Sequence, residues 1–320
     1  MIHAYASLRH YADHMLPILQ ALPVGVRGQM WGPRAGLSWA MELEPEIEHG
    51  SDPMLVAGLA DAQHFAGHRP LVYVEHGAGQ TYRGIETHGS YSGGNHAGLG
   101  IRLYICPSET VADRWRAQGA TAVAVGCPRL DARLSRGTSA RVAQCVAFTW
   151  HWWLELVPET QSAFPWYESA LPDVFSQLRA DGVLVIGHAH PRYAGKLGSW
   201  YRTTGGIPWV DRLEDVFDQD PVLVADNTSA LYEAAALGHP TVVMNAPWYR
   251  RHVDHGLRFW SHVPGPQVDG PAELYEAITS VLVDHTTGLD LRERAAAHAY
   301  AHRDGHAAER AATAIMEALG

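Results

Sequence analysis

Pro221 to Pro247 reads PVLVADNTSALYEAAALGHPTVVMNAP: a strand, a turn, a short helix, a turn and a second strand. Val222–Ala225 and Thr241–Met244 are brief unbroken apolar runs of the kind buried on both faces inside a parallel sheet. Between them Leu231, Ala234, Ala235 and Leu237 form a small apolar helix face, which Gly238 and Pro240 stop. Asp226-Asn227-Thr228-Ser229 falls where strand gives way to helix. There an open α/β sheet offers backbone N–H groups and hydroxyls to a ligand phosphate. Glu233 follows within the first helical turns, at the same crevice or its rim. Asp226 or Thr228 acting as a simple helix cap would use the same N–H groups, so this stretch alone leaves both readings open.

Working outward, the same pattern repeats. Val183–Ile186 runs into Gly187-His188-Ala189-His190-Pro191-Arg192, and Val142–Phe148 into Thr149-Trp150-His151-Trp152-Trp153. Tyr167–Ala180 suits a helix buried through Leu171, Val174, Phe175 and Leu178. Nearer the N-terminus, Leu71–Val74 ends at Glu75-His76-Gly77-Ala78-Gly79-Gln80-Thr81-Tyr82. His76 at a strand end is suited to general-base work, because an unperturbed imidazole titrates near neutrality. The glycine-rich loop His88–Gly100 reads as a mobile substrate loop. Ile101–Cys106 and Ala122–Val125 are further strands, Ser108 caps a helix over Thr110–Gln118, and Arg133–Arg141 is the expected interdomain linker.

Two strand–helix series with polar groups at strand ends predict an α/β chain of two Rossmann-like domains facing a cleft. The expected boundaries are residues 1–135 and 140–290, with 291–320 a C-terminal helix that crosses back or breaks near Gly305. A helix over Tyr11–Leu22 is expected to be bent or delayed by Pro17, with His10 and His14 on its polar face. The first 60 residues otherwise give only short apolar pieces, around Leu37–Met41 and Met54–Ala60.

Composition sets the class. Of 320 residues, 47% are hydrophobic and 18% charged, which describes a globular chain with ample core. A net charge of −10 counts against a polyanion-binding surface, so nucleic acid is a disfavoured acceptor, though a local basic groove is not removed. Cys106, Cys127 and Cys145 are isolated and odd in number, which points to reduced thiols in the cytoplasm. No apolar run has the length of a membrane span, so no stable membrane insertion is expected. Neither G-x-G-x-x-G after the first strand nor G-x-x-x-x-G-K-[ST] occurs, which disfavours a nicotinamide cofactor and an ordinary P-loop.

In this order the motifs resemble those of the CDP-glycerol glycerophosphotransferase family, the teichoic-acid polymerase type, which has the GT-B fold. EHGAGQTY at Glu75–Tyr82 is similar to its His-Gly motif, GCPRLD at Gly126–Asp131 to its G-x-P-R-x-D, and FTWHWW to its strand followed by Pro-Thr-aromatic-Arg. HAHPR resembles its His-Pro motif, and ADNTSALYEAAALGHPTV its Ser-Asp-x-Ser-Ser helix start. The resemblance runs over residues 70 to 260. It implies His76 as the general base on the acceptor hydroxyl, His190 on the donor pyrophosphate, Thr228 and Ser229 on phosphate, and Thr149 and His151 near the nucleotide. Arg192 and Asn227 join this donor set, and Glu233 is expected on the ribose. Gly77, Gln80, Tyr82, His88, Arg250 and His255 are candidates for a substrate loop, with a solvated basic loop the competing reading for Arg250 and His255.

The implied activity is transfer of a glycerophosphate or glycosyl group from a nucleotide-diphosphate donor, CDP-glycerol or a UDP-sugar, to an acceptor hydroxyl, with no obligatory metal or cofactor. The chain departs from the family pattern around the donor. Asp226-Asn227-Thr228-Ser229 replaces the serine pair, the arginine is missing after Thr149-Trp150-His151, and the lysine after His-Gly is absent. A nucleotide-sugar glycosyltransferase acting on a small molecule, a glycan or a modified nucleobase is therefore the first alternative. A metal-dependent hydrolase built on His76, His188, His190 and Asp226 is the second, and a non-catalytic nucleotide-binding module the third. Oligomeric state and acceptor are not set by the sequence.

Overall fold

The apolar runs do form parallel strands. The computed structural model describes residues 1–33, 38–78, 82–137, 144–253 and 260–320, so Gln80, His255 and the latter part of the expected linker lie outside the described residues. The chain divides into two compact units, Met1–Gly137 with His298–Gly320, and Thr138–Ala297.

Among the described residues the first unit holds seven strands: β1 Ile2–Tyr5, β2 Arg27–Gly32, β3 Met41–Glu42, β4 Met54–Val56, β5 Leu71–Val74, β6 Ile101–Cys106 and β7 Ala122–Ala124. They pair in the order β3-β2-β1-β4-β5-β6-β7, every pair parallel. The second unit holds β8 Cys145–Thr149, β9 Leu184–Gly187, β10 Val222–Ala225, β11 Thr241–Met244 and β12 Gln267–Val268. Their order is β12-β11-β10-β8-β9, again parallel throughout. In each sheet the strand order reverses once, between β1 and β4 and between β8 and β10. A crevice opens beyond the carboxyl ends at such a switch, because the connections on its two sides leave toward opposite faces.

The helix Arg9–Ala21 packs Met15, Ile18 and Leu19 against Leu55, Val72 and Leu103 of the first sheet. Pro17 lies inside this helix without ending it. The expected single tail helix is two, Leu289–Ala299 and Ala307–Leu319, broken around Gly305 with its φ of 79°. Ala311 and Ile315 of the second complete the first unit's core. Asp131 accepts hydrogen bonds from the N–H groups of Ala307 and Ala308, at 3.1 and 2.7 Å, and so caps that helix. Gly126, four residues before the Leu130 that precedes this aspartate, has φ 94°, and a Cβ there would lie 2.6 Å from the carbonyl oxygen of His302.

The second unit's core joins Val146, Phe148 and Val224 from its sheet to Phe164, Tyr167, Phe175, Leu178 and Ile278 from its helices. At the end of β9, a Cβ on Gly187 would come within 2.5 Å of the Tyr201 ring, so only glycine admits this close packing. The expected element over Val210–Phe217 is the helix Leu213–Phe217, and Trp209 bridges to Gly187 as a strand fragment. No helix among the described residues is long and apolar enough to cross a membrane. Cys106, Cys127 and Cys145 are buried and none is in a disulfide.

Candidate functional site

In the second unit the chemistry gathers at the switch between β8 and β10. Asp226, fully buried at the end of β10, does not cap the helix that follows. Its carboxylate turns to the neighbouring strand's loop and accepts from the His151 N–H at 2.6 Å, the Ser162 hydroxyl at 2.9 Å and the Ala163 N–H at 2.9 Å. Burial raises this carboxyl to about 6 against those three hydrogen bonds, which favour the charged form. Asn227 likewise reaches across, donating through Nδ2 to the Glu159 carbonyl at 2.7 Å. Thr228 and Ser229 lead into the helix Ala230–Ala236, and the Thr228 hydroxyl accepts from the Ala230 N–H at 3.4 Å. Glu233 is buried in that helix. Asn227, Thr228, Leu231, Tyr249, Trp260 and Pro264 are among the walls of a small hollow beside the turn.

The histidines after β8 and β9 have fixed ring orientations. His188 Nδ1 and the Thr149 hydroxyl are 2.6 Å apart, both buried, and the His188 ring stacks on Trp209. His151 Nδ1 is 2.7 Å from the Trp152 carbonyl and 3.2 Å from that of Thr160. A carbonyl only accepts, so Nδ1 of His151 carries a proton. His190 is the reverse: its Nδ1 accepts the Arg192 N–H at 3.2 Å, so the neutral ring carries its proton on Nε2. The His151 and His190 rings are 6.0 Å apart.

Arg250, expected in a substrate loop or in solvent, is half-buried and ion-paired with Glu159. Its backbone N–H and Nε donate to one oxygen of Glu159, at 2.8 and 2.7 Å, and Nη2 donates to the other at 2.7 Å. Glu159 is wholly buried. Burial pushes its carboxyl up, but the hydrogen bonds from Arg250 outweigh that and hold it below the usual range. The pair ties the loop after β11 to the loop after β8.

In the first unit, His76 follows β5 and is half-buried, and Gly77 takes φ 69°. The rings of Tyr11, His10 and His14 lie 4.8, 5.8 and 6.3 Å from that of His76. His14 is not on a polar helix face, as the sequence suggests, but 3% exposed. Burial first, then Arg129 and the neighbouring histidines, holds its pKa well below the ordinary value, so it is neutral. Tyr82 is a core residue, fully buried edge-on against Tyr91. The glycine-rich loop is pinned through His96, whose Nε2 and Nδ1 are 2.7 Å from the Gly89 carbonyl and 3.2 Å from the Tyr104 hydroxyl. His88, in the same loop, accepts the Ser90 N–H at 3.2 Å. Among the described residues no three His, Cys, Asp or Glu side chains are grouped to hold a metal.

Glu159 and Trp152 are the residues that the sequence reading did not single out, and Asp226, read there as a cap or a metal ligand, instead holds the neighbouring loop. Asp226 opens the motif, but its partners lie 63 to 75 residues away.

Residues 168–317, which is 150 of the 320, match the family model of CDP-glycerol:poly(glycerophosphate) glycerophosphotransferase. No curated protein matches in sequence. Among solved structures, a variant of the wall teichoic acid polymerase TagF soaked with CDPG aligns with a TM-score of 0.67 and 11% identity, over 99% of this chain and 87% of the other. S. aureus MnaA with UDP gives 0.63 and 15% identity, over 99% and 96% of the two chains. The UDP-GlcNAc 2-epimerase from Neisseria meningitidis bound to UDP-GlcNAc gives 0.56 and 11%, over 99% of each. At these identities the likeness shows the fold, two Rossmann-like units of GT-B type.

Proposed function

From a GT-B chain similar over residues 168–317 to the CDP-glycerol:poly(glycerophosphate) glycerophosphotransferases, we propose an enzyme that transfers a glycerophosphoryl or glycosyl group from a nucleotide-activated donor to an acceptor hydroxyl. The observation that carries this reading is the switch between β8 and β10, a place where an α/β sheet binds phosphorylated ligands, with Thr228 and Ser229 following β10 and with His190 and Arg192 following β9, the strand paired to β8. His190 donates from Nε2 to the diphosphate, and Thr228 and Ser229 add a hydroxyl and backbone N–H groups. Glu233 takes the ribose, and His151 lies beside the nucleotide. Thr149 acts through His188, to which its hydroxyl is bonded.

In the transfer, the acceptor oxygen forms a bond to the donor's terminal phosphorus or to its anomeric carbon. The bond from that atom to the bridging oxygen breaks, and the nucleoside mono- or diphosphate leaves with the electron pair. The acceptor proton passes to His76. Negative charge grows on the leaving phosphate, and donors held in place before the reaction stabilise it most, since they need no reorganisation. His76 suits its part by its place, half-buried directly after β5 with the rings of Tyr11, His10 and His14 around it. The setting we infer is the cytoplasm, with a small molecule or glycan as acceptor.

The test is a thermal-shift panel of CDP-glycerol, UDP-sugars, GDP-sugars and bare nucleotides on the native chain and on His190→Ala. One cytidine or uridine donor is expected to raise the melting temperature of the native chain and not of the variant. Stabilisation by none of them, together with loss of stability on adding a chelator, would return the site to the metal-hydrolase reading.

A further inference from the structure

The missing arginine after Thr149-Trp150-His151 leaves the β8 end without a cation of its own, yet one is brought there from another strand. Trp152 is half-buried on the loop after β8. The His190 ring stacks on it at 5.8 Å between centroids and 28° between planes. The Arg192 guanidinium carbon lies 4.6 Å from the centroid of the same indole. Arg192 is also bound to His190 through its own backbone N–H at 3.2 Å. One indole thus meets two of the three basic side chains of the HAHPR loop, His190 and Arg192.

We propose that Trp152 is a positioning residue that holds His190 and Arg192 as a paired anion clamp, with Arg192 supplying the positive charge that the β8 motif lacks. The proposal rests on the reading of the second unit as the donor site. Three physical facts support it. A guanidinium over an indole face is attracted by the ring quadrupole while its edge N–H groups stay directed outward, which suits a phosphate oxygen. The imidazole stacked on the same indole has its Nδ1 occupied, so its proton sits on the outer nitrogen. Arg192 is exposed, and a side chain with that much rotamer freedom binds an anion weakly unless something holds it beforehand.

The test titrates CDP and UDP into the native chain, Trp152→Leu, Trp152→Phe and Arg192→Gln by calorimetry at low and high salt. Melting temperatures and the imidazole 15N shifts of His190 are read beside them. The native chain is expected to bind one diphosphate. W152L and R192Q should each weaken it about tenfold, R192Q should flatten the salt dependence, and W152F should recover part of the affinity. The His190 resonance should show protonation at Nε2 and lose its ring-current shift in W152L. Native-like affinity in W152L or R192Q overturns the clamp and leaves the donor site standing. Binding of no diphosphate by the native chain removes the donor reading and the clamp with it. Should W152L fail to fold, R192Q and W152F decide alone, and native affinity and salt dependence in R192Q would sink the proposal.

Discussion

Asp226 is a fully buried carboxylate with three donors, and its environment pulls in two directions. Burial favours the neutral acid and the three hydrogen bonds favour the anion, and the balance leaves it at about 6, above its ordinary 3.8. A carboxyl raised in the folded state binds its proton more tightly there than in the unfolded chain. Its stabilising contribution is therefore complete below about pH 4 and lost as pH rises through about 6. Asp226→Asn offers one acceptor and one mismatched donor to the same groups, so it should cost about 1–3 kcal/mol. Thermal unfolding in paired buffers should show the native chain's advantage over this variant shrinking from pH 4 to above pH 6. A constant gap would refute the assignment. Glu159 has the opposite sign: its lowered carboxyl stabilises above the ordinary carboxylate range, and that contribution is lost as acid protonates it. Arg250→Ala leaves this buried anion without its cation and should destabilise by about 3 kcal/mol or more, measured by denaturant titration. Neither network is legible in the sequence, because Glu159 and Arg250 stand 91 residues apart and only the fold makes them neighbours.

At the scale of elements the sequence is far more open. β5, β8, β9, β10 and β11 are buried on almost every residue, so they read as unbroken apolar runs, and the motif residues follow directly from where those runs stop. β1 and β2 escape that reading. IHAY is four residues long and carries a buried histidine, and RGQMWG begins with Arg, Gly and Gln on the half-covered part of the sheet. His14 is misplaced for a related reason, since an imidazole looks polar in a helical pattern but is neutral when packed among other rings. The cap on Ala307–Leu319 is also hidden, because Asp131 belongs to a motif that precedes it by 176 residues. Asp131→Ala should cost about 1–2 kcal/mol and speed amide hydrogen exchange in the first turns of that helix, with the second unit unchanged.

At the scale of the whole chain, the two units are not equal in how they are assembled. Thr138–Ala297 is continuous, whereas Met1–Gly137 needs His298–Gly320 to close its core around Met15, Ile18, Ala311 and Ile315. Ending the chain at Ala297 uncovers that core on one side. Scanning calorimetry should then show the first unit's transition lowered or lost while that of the second persists. Loss of both together would mean that the second unit's stability also depends on the removed helix.

The placement of that closing helix also bears on synthesis. A ribosome releases the strands of the first unit early, but the segment that seals them emerges only after the whole second unit. The part made first is thus the last to finish, and its apolar helix face waits uncovered while a later part folds to completion. In the cell, this waiting nascent surface is where a chaperone would be needed.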